Sequence, residues 1–226
     1  MKISGLQKLT LLDFPGKVSC IVFFNGCNLR CPYCHNASLV THLSDDYISE
    51  DEFFKFLDTR KGKLDGVVIT GGEPTLRAGL IPFMKKIKDK GFLIKLDTNG
   101  TNPKKLEEII KLGLVDYVAM DFKNSKNGYS KTVGGKEVYD LITRSMNILK
   151  TSNVLHEFRT TVVKEFHSYE DLEEIAQTIA PDDWYLQQFV DSGDLIGNGM
   201  SSYSDDVLKS YADKLNVYTK CHTRGI

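Results

Sequence analysis

Apolar runs and helical segments alternate six times along this 226-residue chain, and that alternation limits the fold more than any other feature. The runs Val18–Phe24, Gly66–Thr70, Phe92–Leu96, Tyr117–Met120, His156–Val163 and Trp184–Val190 read as strands. The segments between them carry helix signals. Ser49 and Glu52 form a capping box ahead of Phe53, Phe54, Phe56 and Leu57. Leu80, Ile81, Met84 and Ile87 share one helix face, with Pro82 in the first turn and Gly91 beyond the last. Asn102–Pro103 pairs an N-cap with proline at the first helical position. Further helices are expected over 137–150, from Ser168 (boxed by Asp171) to before Pro181, and from a Ser204 cap to Leu215. Such alternation argues for parallel strands joined by crossover helices. A doubly wound sheet and a partial barrel both satisfy it. The expected plan is one domain over 1–226. It has a lead-in over 1–17, the strand–helix region over 18–190, a polar loop over 124–136, and a C-terminal helix and tail over 191–226.

The polar motifs fall just after strands. Cys27, Cys31 and Cys34 follow the first, Gly71-Gly72-Glu73-Pro74 the second, Asp97-Thr98-Asn99 the third and Asp121-Phe122-Lys123 the fourth. In a parallel fold those positions share one rim, where such folds place their sites. Asn25-Gly26 breaks the first strand and Pro32 forbids a regular helix, so the three thiols sit on a loop and can converge. Three close thiolates suit a soft metal. Structural zinc takes four protein ligands, and His35 directly after Cys34 has a poor spacing for the fourth. A disulfide would leave one thiol over. An iron–sulfur cubane normally takes four cysteines, so three would leave one iron open for chemistry. Metal-free structural thiols stay a competing reading. The other motifs have plain alternatives: a strand-to-helix turn for the glycines, an Asx turn for Asp97–Gly100, and a surface ion pair for Asp121 and Lys123.

The pattern Cys-x3-Cys-x-aromatic-Cys, with Tyr33 as its aromatic, resembles the signature of the radical S-adenosylmethionine enzymes. That resemblance favours a partial (β/α)6 barrel, open on one side. It implies a [4Fe–4S] cluster on Cys27, Cys31 and Cys34, with the open iron taking the amino and carboxylate groups of S-adenosylmethionine. Gly71 and Gly72 (through backbone) and Glu73 (through its carboxylate) resemble the motif that bonds the methionine amino group. Asp97, Thr98, Asp121 and Lys123 resemble cofactor-lining positions of the glycyl-radical-enzyme activases. Arg159 points inward to a carboxylate or ribose, or outward to solvent. Only one of Gln187 and Gln188 faces in. Val190 stands where pyruvate-formate-lyase activases carry a histidine, so that role is not transferred.

Gly5-Leu6-Gln7-Lys8, Asp13-Phe14-Pro15-Gly16-Lys17, Phe24-Asn25-Gly26-Cys27 and Cys34-His35-Asn36 look like the activating proteins of anaerobic ribonucleoside-triphosphate reductase. The implied reaction passes one electron from the reduced cluster to the sulfonium. Methionine leaves, and a 5′-deoxyadenosyl radical takes hydrogen from a glycine of a partner enzyme. A flavodoxin- or ferredoxin-type donor is implied, and the loop over 124–136 is a candidate docking surface. The net charge of −1 recruits neither nucleic acid nor an anionic membrane, and no apolar run reaches the ~20 residues that span a bilayer. Five cysteines, three of them clustered, do not make a disulfide framework, so a reduced cytoplasm is expected. Cys20 reads as inert core, Cys221 has no assigned role, and His42, His156 and His167 read as surface or core. Two rivals stand beside the activase reading. One is a small-molecule enzyme of the same superfamily, such as a 7-deazapurine synthase; the other is a non-catalytic iron–sulfur or zinc protein.

Overall fold

The computed structural model describes residues 1–41 and 46–226; His42 lies outside them. Eight strands form one sheet in chain order: β1 Gly5–Thr10, β2 Ser19–Phe24, β3 Gly66–Gly71, β4 Leu93–Thr98, β5 Tyr117–Asp121, β6 Leu155–Val162, β7 Asp183–Gln188 and β8 Lys220–Arg224. β1 runs antiparallel to β2, and every later pair is parallel. β1 and β8 are the two edges of this sheet, which is not closed.

The six expected strands are β2 to β7. The lead-in and the tail need correction, because each supplies an edge strand outside the 18–190 region. Helices α1 Ala37–Thr41, α2 Glu50–Asp58, α3 Leu80–Asp89, α4 Pro103–Lys111, α5 Lys126–Thr132, α6 Tyr139–Thr151, α7 Tyr169–Ile179 and α8 Asp205–Leu215 connect them. The capping signals act as read: the Ser49 hydroxyl accepts the Glu52 N–H, and the Glu52 carboxylate accepts the Ser49 N–H at 2.8 Å. Asn102 caps α4 and Ser168 boxes α7. Ser204 stands at the α8 N-cap position without a side-chain bond, so that cap is corrected. The loop expected over 124–136 contains α5, held by Ser125 accepting the Gly128 N–H and by the buried Tyr129.

Strand alternation sorts side chains into two populations. Ile69, Leu96, Met120, Phe158 and Trp184 face the helices and make the main core. Inside the curved sheet, the amino-side end is filled by Phe14, Ile21 and Val68, with Tyr117 against them. Phe14 comes from the β1–β2 connection. It approaches so closely that a Cβ on Gly66 would lie 2.9 Å from its ring, so glycine is required there. Among the described residues no helix is long and apolar enough to cross a membrane.

Candidate active site

The carboxyl ends of β2 to β7 surround a cavity of about 240 Å³. Cys27, Cys31, Tyr33, Cys34, Gly71, Gly72, Asp97, Thr98, Asp121, Lys123 and Arg159 all line it. Gln187 lines it too, whereas Gln188 turns outward and donates to the Tyr203 carbonyl at 2.8 Å. Val190 lies beyond β7, exposed. Glu73 is the one expected site residue that does not reach the cavity: it is fully buried behind the glycine turn. Its carboxylate is occupied, accepting from the Thr75 N–H (3.0 Å), the Thr75 and Thr98 hydroxyls, and the Asn99 N–H (2.7 Å). Burial pushes the Glu73 carboxyl above its ordinary value. The side chain therefore ties the ends of β3 and β4 together.

The glycine pair is needed for close approach. Gly71 adopts φ +125°, and a Cβ there would lie 2.3 Å from the Phe24 backbone; one on Gly72 would lie 2.1 Å from the Gly26 carbonyl oxygen. Any side chain would push the β3 turn off the cysteine loop.

Arg159 points inward and joins two carboxylates. Its Nη1 donates to Asp97 Oδ2 and its Nε to Asp121 Oδ1, both at 3.1 Å. Lys123 donates to Asp121 Oδ2 at 3.1 Å. Burial alone would raise Asp121, but Lys123 and Arg159 prevail and hold it below the usual carboxylate range. Burial would lower Lys123, yet Asp121 and the nearby thiol and phenol groups hold it well above the usual ammonium range. Asp97 Oδ1, by contrast, is buried without a hydrogen bond, with Lys95 Nζ at 3.6 Å. Lys95 supplies the counter-charge to that oxygen.

Burial pushes Cys31 up to about 11 and raises Cys27. As free thiols they stay protonated, and a metal is what converts them to thiolates. Among the described residues, no three His, Cys, Asp or Glu side chains converge closely enough to share a single ion. Three thiols on one cavity leave a cubane with one open iron, whereas structural zinc takes four protein ligands. The donor set thus fits an iron–sulfur centre better than one zinc ion.

The Radical SAM superfamily model matches residues 21–179. The chain belongs to the radical SAM superfamily. Its cofactors are accordingly a [4Fe–4S] cluster and S-adenosylmethionine. A Methanocaldococcus jannaschii protein described as a glycyl-radical enzyme activating enzyme is 39% identical over 193 residues, covering 83% of this chain and 79% of that one. The pyruvate formate-lyase-activating enzyme of Clostridium pasteurianum is 34% identical over 140 residues, 60% of this chain and 58% of its own. Among solved structures, a radical SAM methyltransferase from Sphaerobacter thermophilus aligns with TM-score 0.74 at 14% identity, over 96% of this chain and 68% of that one. QueE from Escherichia coli aligns with TM-score 0.61 at 18% identity, over 100% and 94%. These two likenesses bear on the fold alone.

Two further residues, Asn99 and His167, shape this radical SAM site. Asn99 was covered only as part of a turn, yet its amide faces the Cys27 sulfur. His167 is buried with Nε2 2.8 Å from the Lys123 carbonyl, and burial lowers its basicity, so a neutral ring steadies the Asp121–Lys123 segment. The His-to-Lys123 separation of 44 residues hid that contact. His156 sits 3.3 Å from Asp182, away from the cavity. Cys20 and Cys221 are buried in the core and pushed up to about 12, which leaves them inert.

Proposed function

We propose that this protein activates a glycyl radical enzyme, with anaerobic ribonucleoside-triphosphate reductase as the partner. The observation that carries the reading is one cavity holding three thiols, the glycine turn and the Asp97–Arg159–Asp121–Lys123 network together. The named similarity to a glycyl-radical enzyme activating enzyme supports it. The match to a pyruvate formate-lyase-activating enzyme makes that class of partner the second reading.

When bound, the cluster and S-adenosylmethionine supply one-electron cleavage of a carbon–sulfur bond and hydrogen abstraction from the partner's glycine. Cys27, Cys31 and Cys34 hold the cluster. Backbone at Gly71 and Gly72 receives the methionine amino group, while Asp97 and Thr98 meet donors of the cofactor. Arg159 and Lys123 keep Asp121 ionised. Tyr33 and Leu29 wall the cluster side against water and oxygen. The gap between β1 and β8 admits the partner's glycine segment, and an electron donor of flavodoxin or ferredoxin type reduces the cluster.

The test is anaerobic. The reconstituted, dithionite-reduced protein is given S-adenosylmethionine with and without an anaerobic ribonucleotide reductase, following 5′-deoxyadenosine and the electron paramagnetic resonance spectrum. A glycyl doublet that needs both proteins is expected. Deoxyadenosine with no doublet on that reductase, but a doublet on a pyruvate formate-lyase, would move the assignment to the second reading.

A further inference from the structure

The three cysteine sulfurs are not equivalently solvated by the protein. Cys27 Sγ accepts from the Leu29 N–H at 3.4 Å and from Asn99 Nδ2 at 3.5 Å. Among the described residues no hydrogen bond reaches the sulfur of Cys31 or Cys34. The Asn99 donor comes from a different strand end, 72 residues along the chain, so it is tertiary structure rather than loop geometry that delivers it.

The Asn99 amide is fixed on every side. Its oxygen accepts from the Thr101 N–H at 3.0 Å and from the Thr101 hydroxyl at 2.7 Å. A backbone N–H can only donate, so the oxygen lies on the Thr101 side and the NH₂ faces the cysteine loop. Of the two amide hydrogens, one points to Cys27 Sγ and the other to Asn28 Oδ1 at 3.1 Å. Asn28 in turn donates to the Thr101 hydroxyl at 2.9 Å. The Asn99 backbone N–H is held by the buried Glu73 carboxylate. An Asx turn uses only the side-chain oxygen, and aspartate makes it equally well. The turn therefore accounts for the Oδ1 contacts and leaves the NH₂ group unexplained.

We propose that Asn99 is a positioning residue that sets the reduction potential of the cluster by donating its side-chain N–H to the Cys27 sulfur, with Thr101 and Glu73 holding it in place. This rests on Cys27 being a cluster ligand. Reduction of the [4Fe–4S] centre from the 2+ to the 1+ level adds one electron, spread partly onto the ligand sulfurs. An N–H aimed at a sulfur stabilises that added charge and raises the potential. The chain thereby eases reduction of an otherwise low-potential centre from one side, at the ligand nearest the β4 end.

Asn99→Leu removes the donor at similar volume, and Thr101→Val loosens the amide while keeping it. Both are reconstituted beside the wild type and Cys27→Ala, assayed for iron and sulfide, and titrated by electron paramagnetic resonance without S-adenosylmethionine. At the potential where wild type is half reduced, the reduced-to-oxidised ratio in Asn99→Leu should fall roughly tenfold, a downward shift of about 59 mV for one electron. Thr101→Val should shift the same way by less. A purely structural role would alter cluster content and leave the midpoint of the clusters that form unchanged. An unchanged midpoint in Asn99→Leu overturns the proposal. Should that variant not load, an unchanged midpoint in Thr101→Val overturns it. Full iron and sulfide in Cys27→Ala would overturn the ligand assignment beneath it, a failure distinguishable from the first.

Discussion

At the carboxyl end of the sheet the inward side chains are Asp97, Asp121, Arg159 and Gln187; at the amino end of the same curved sheet they are Ile21, Val68 and Tyr117, with Phe14 driven between them. Both ends also contain buried charge, and the pairing differs. At the amino side, Glu157 is fully buried and saturated: Arg224 grips it at 2.9 and 3.2 Å, and Tyr117 donates at 2.9 Å. At the carboxyl side Asp97 and Asp121 share Arg159, Lys123 adds a second cation, and the whole network lines the cavity beside the three thiols. A charged network sealed in the core closes a structure, whereas one that lines a cavity beside nucleophilic or metal-ligating groups marks where a ligand binds. The contrast locates the working end of the molecule without reference to any relative.

Four substitutions or conditions would break or sharpen this contrast. The largest effect is expected from Cys31→Ala, which should lose both the cluster and S-adenosylmethionine cleavage, read as iron per chain and as deoxyadenosine. Retained cleavage would remove Cys31 from the ligand set. Arg159→Leu should come next. It strips the shared cation from Asp97 and Asp121 and should cost about 3–5 kcal/mol of stability in chemical denaturation, with weakened cofactor binding. Phe14→Ala should cost a similar ~3–5 kcal/mol through a cavity at the sheet's amino end. Unlike Arg159→Leu, it should leave cleavage per folded, cluster-loaded molecule within about twofold of wild type, because the plug is apolar and separate from the cavity lining.

The smallest effect is that of pH. Asp121 and Glu157 are both held below their ordinary values of 3.8 and 4.5, Asp121 by Lys123 and Arg159, Glu157 by Arg224, in each case against burial. Their contribution is therefore fully present above those ordinary values and is lost as pH falls through the lower folded-state values. The melting temperature should drop between about pH 5 and pH 3, and Glu157→Gln should flatten that slope. Glu73 runs the other way: its raised value favours the protonated form, so its effect disfavours folding as pH rises above its ordinary 4.5.

Much of this was legible in the residues. The six parallel strands announced themselves by apolar runs, and the site by motifs at their carboxyl ends. β1 and β8 were not visible because Gly5–Thr10 and Lys220–Arg224 are mostly polar and sit at sheet edges, where only neighbouring backbone makes them strands. α5 has a weak helical sequence and depends on its Ser125 cap and on the packing of Tyr129 against Phe122. Within the site, spacing supplied the cysteines and alternation supplied Gln187 or its neighbour. Glu73 was expected at the cofactor only through the family resemblance of its motif, and its side chain lies outside the cavity lining. Its burial follows from Thr98 and Asn99, 25 and 26 residues away, which no local pattern exposes.

The central claim is that the carboxyl-end cavity is completed by a cluster that meets S-adenosylmethionine directly. The most direct test adds S-adenosylmethionine to the anaerobically reconstituted, reduced protein and records the cluster's electron paramagnetic resonance signal. About four irons per chain and a signal whose shape changes on addition are predicted. A loaded, reduced cluster whose signal is indifferent to saturating S-adenosylmethionine, with no deoxyadenosine formed, would contradict it.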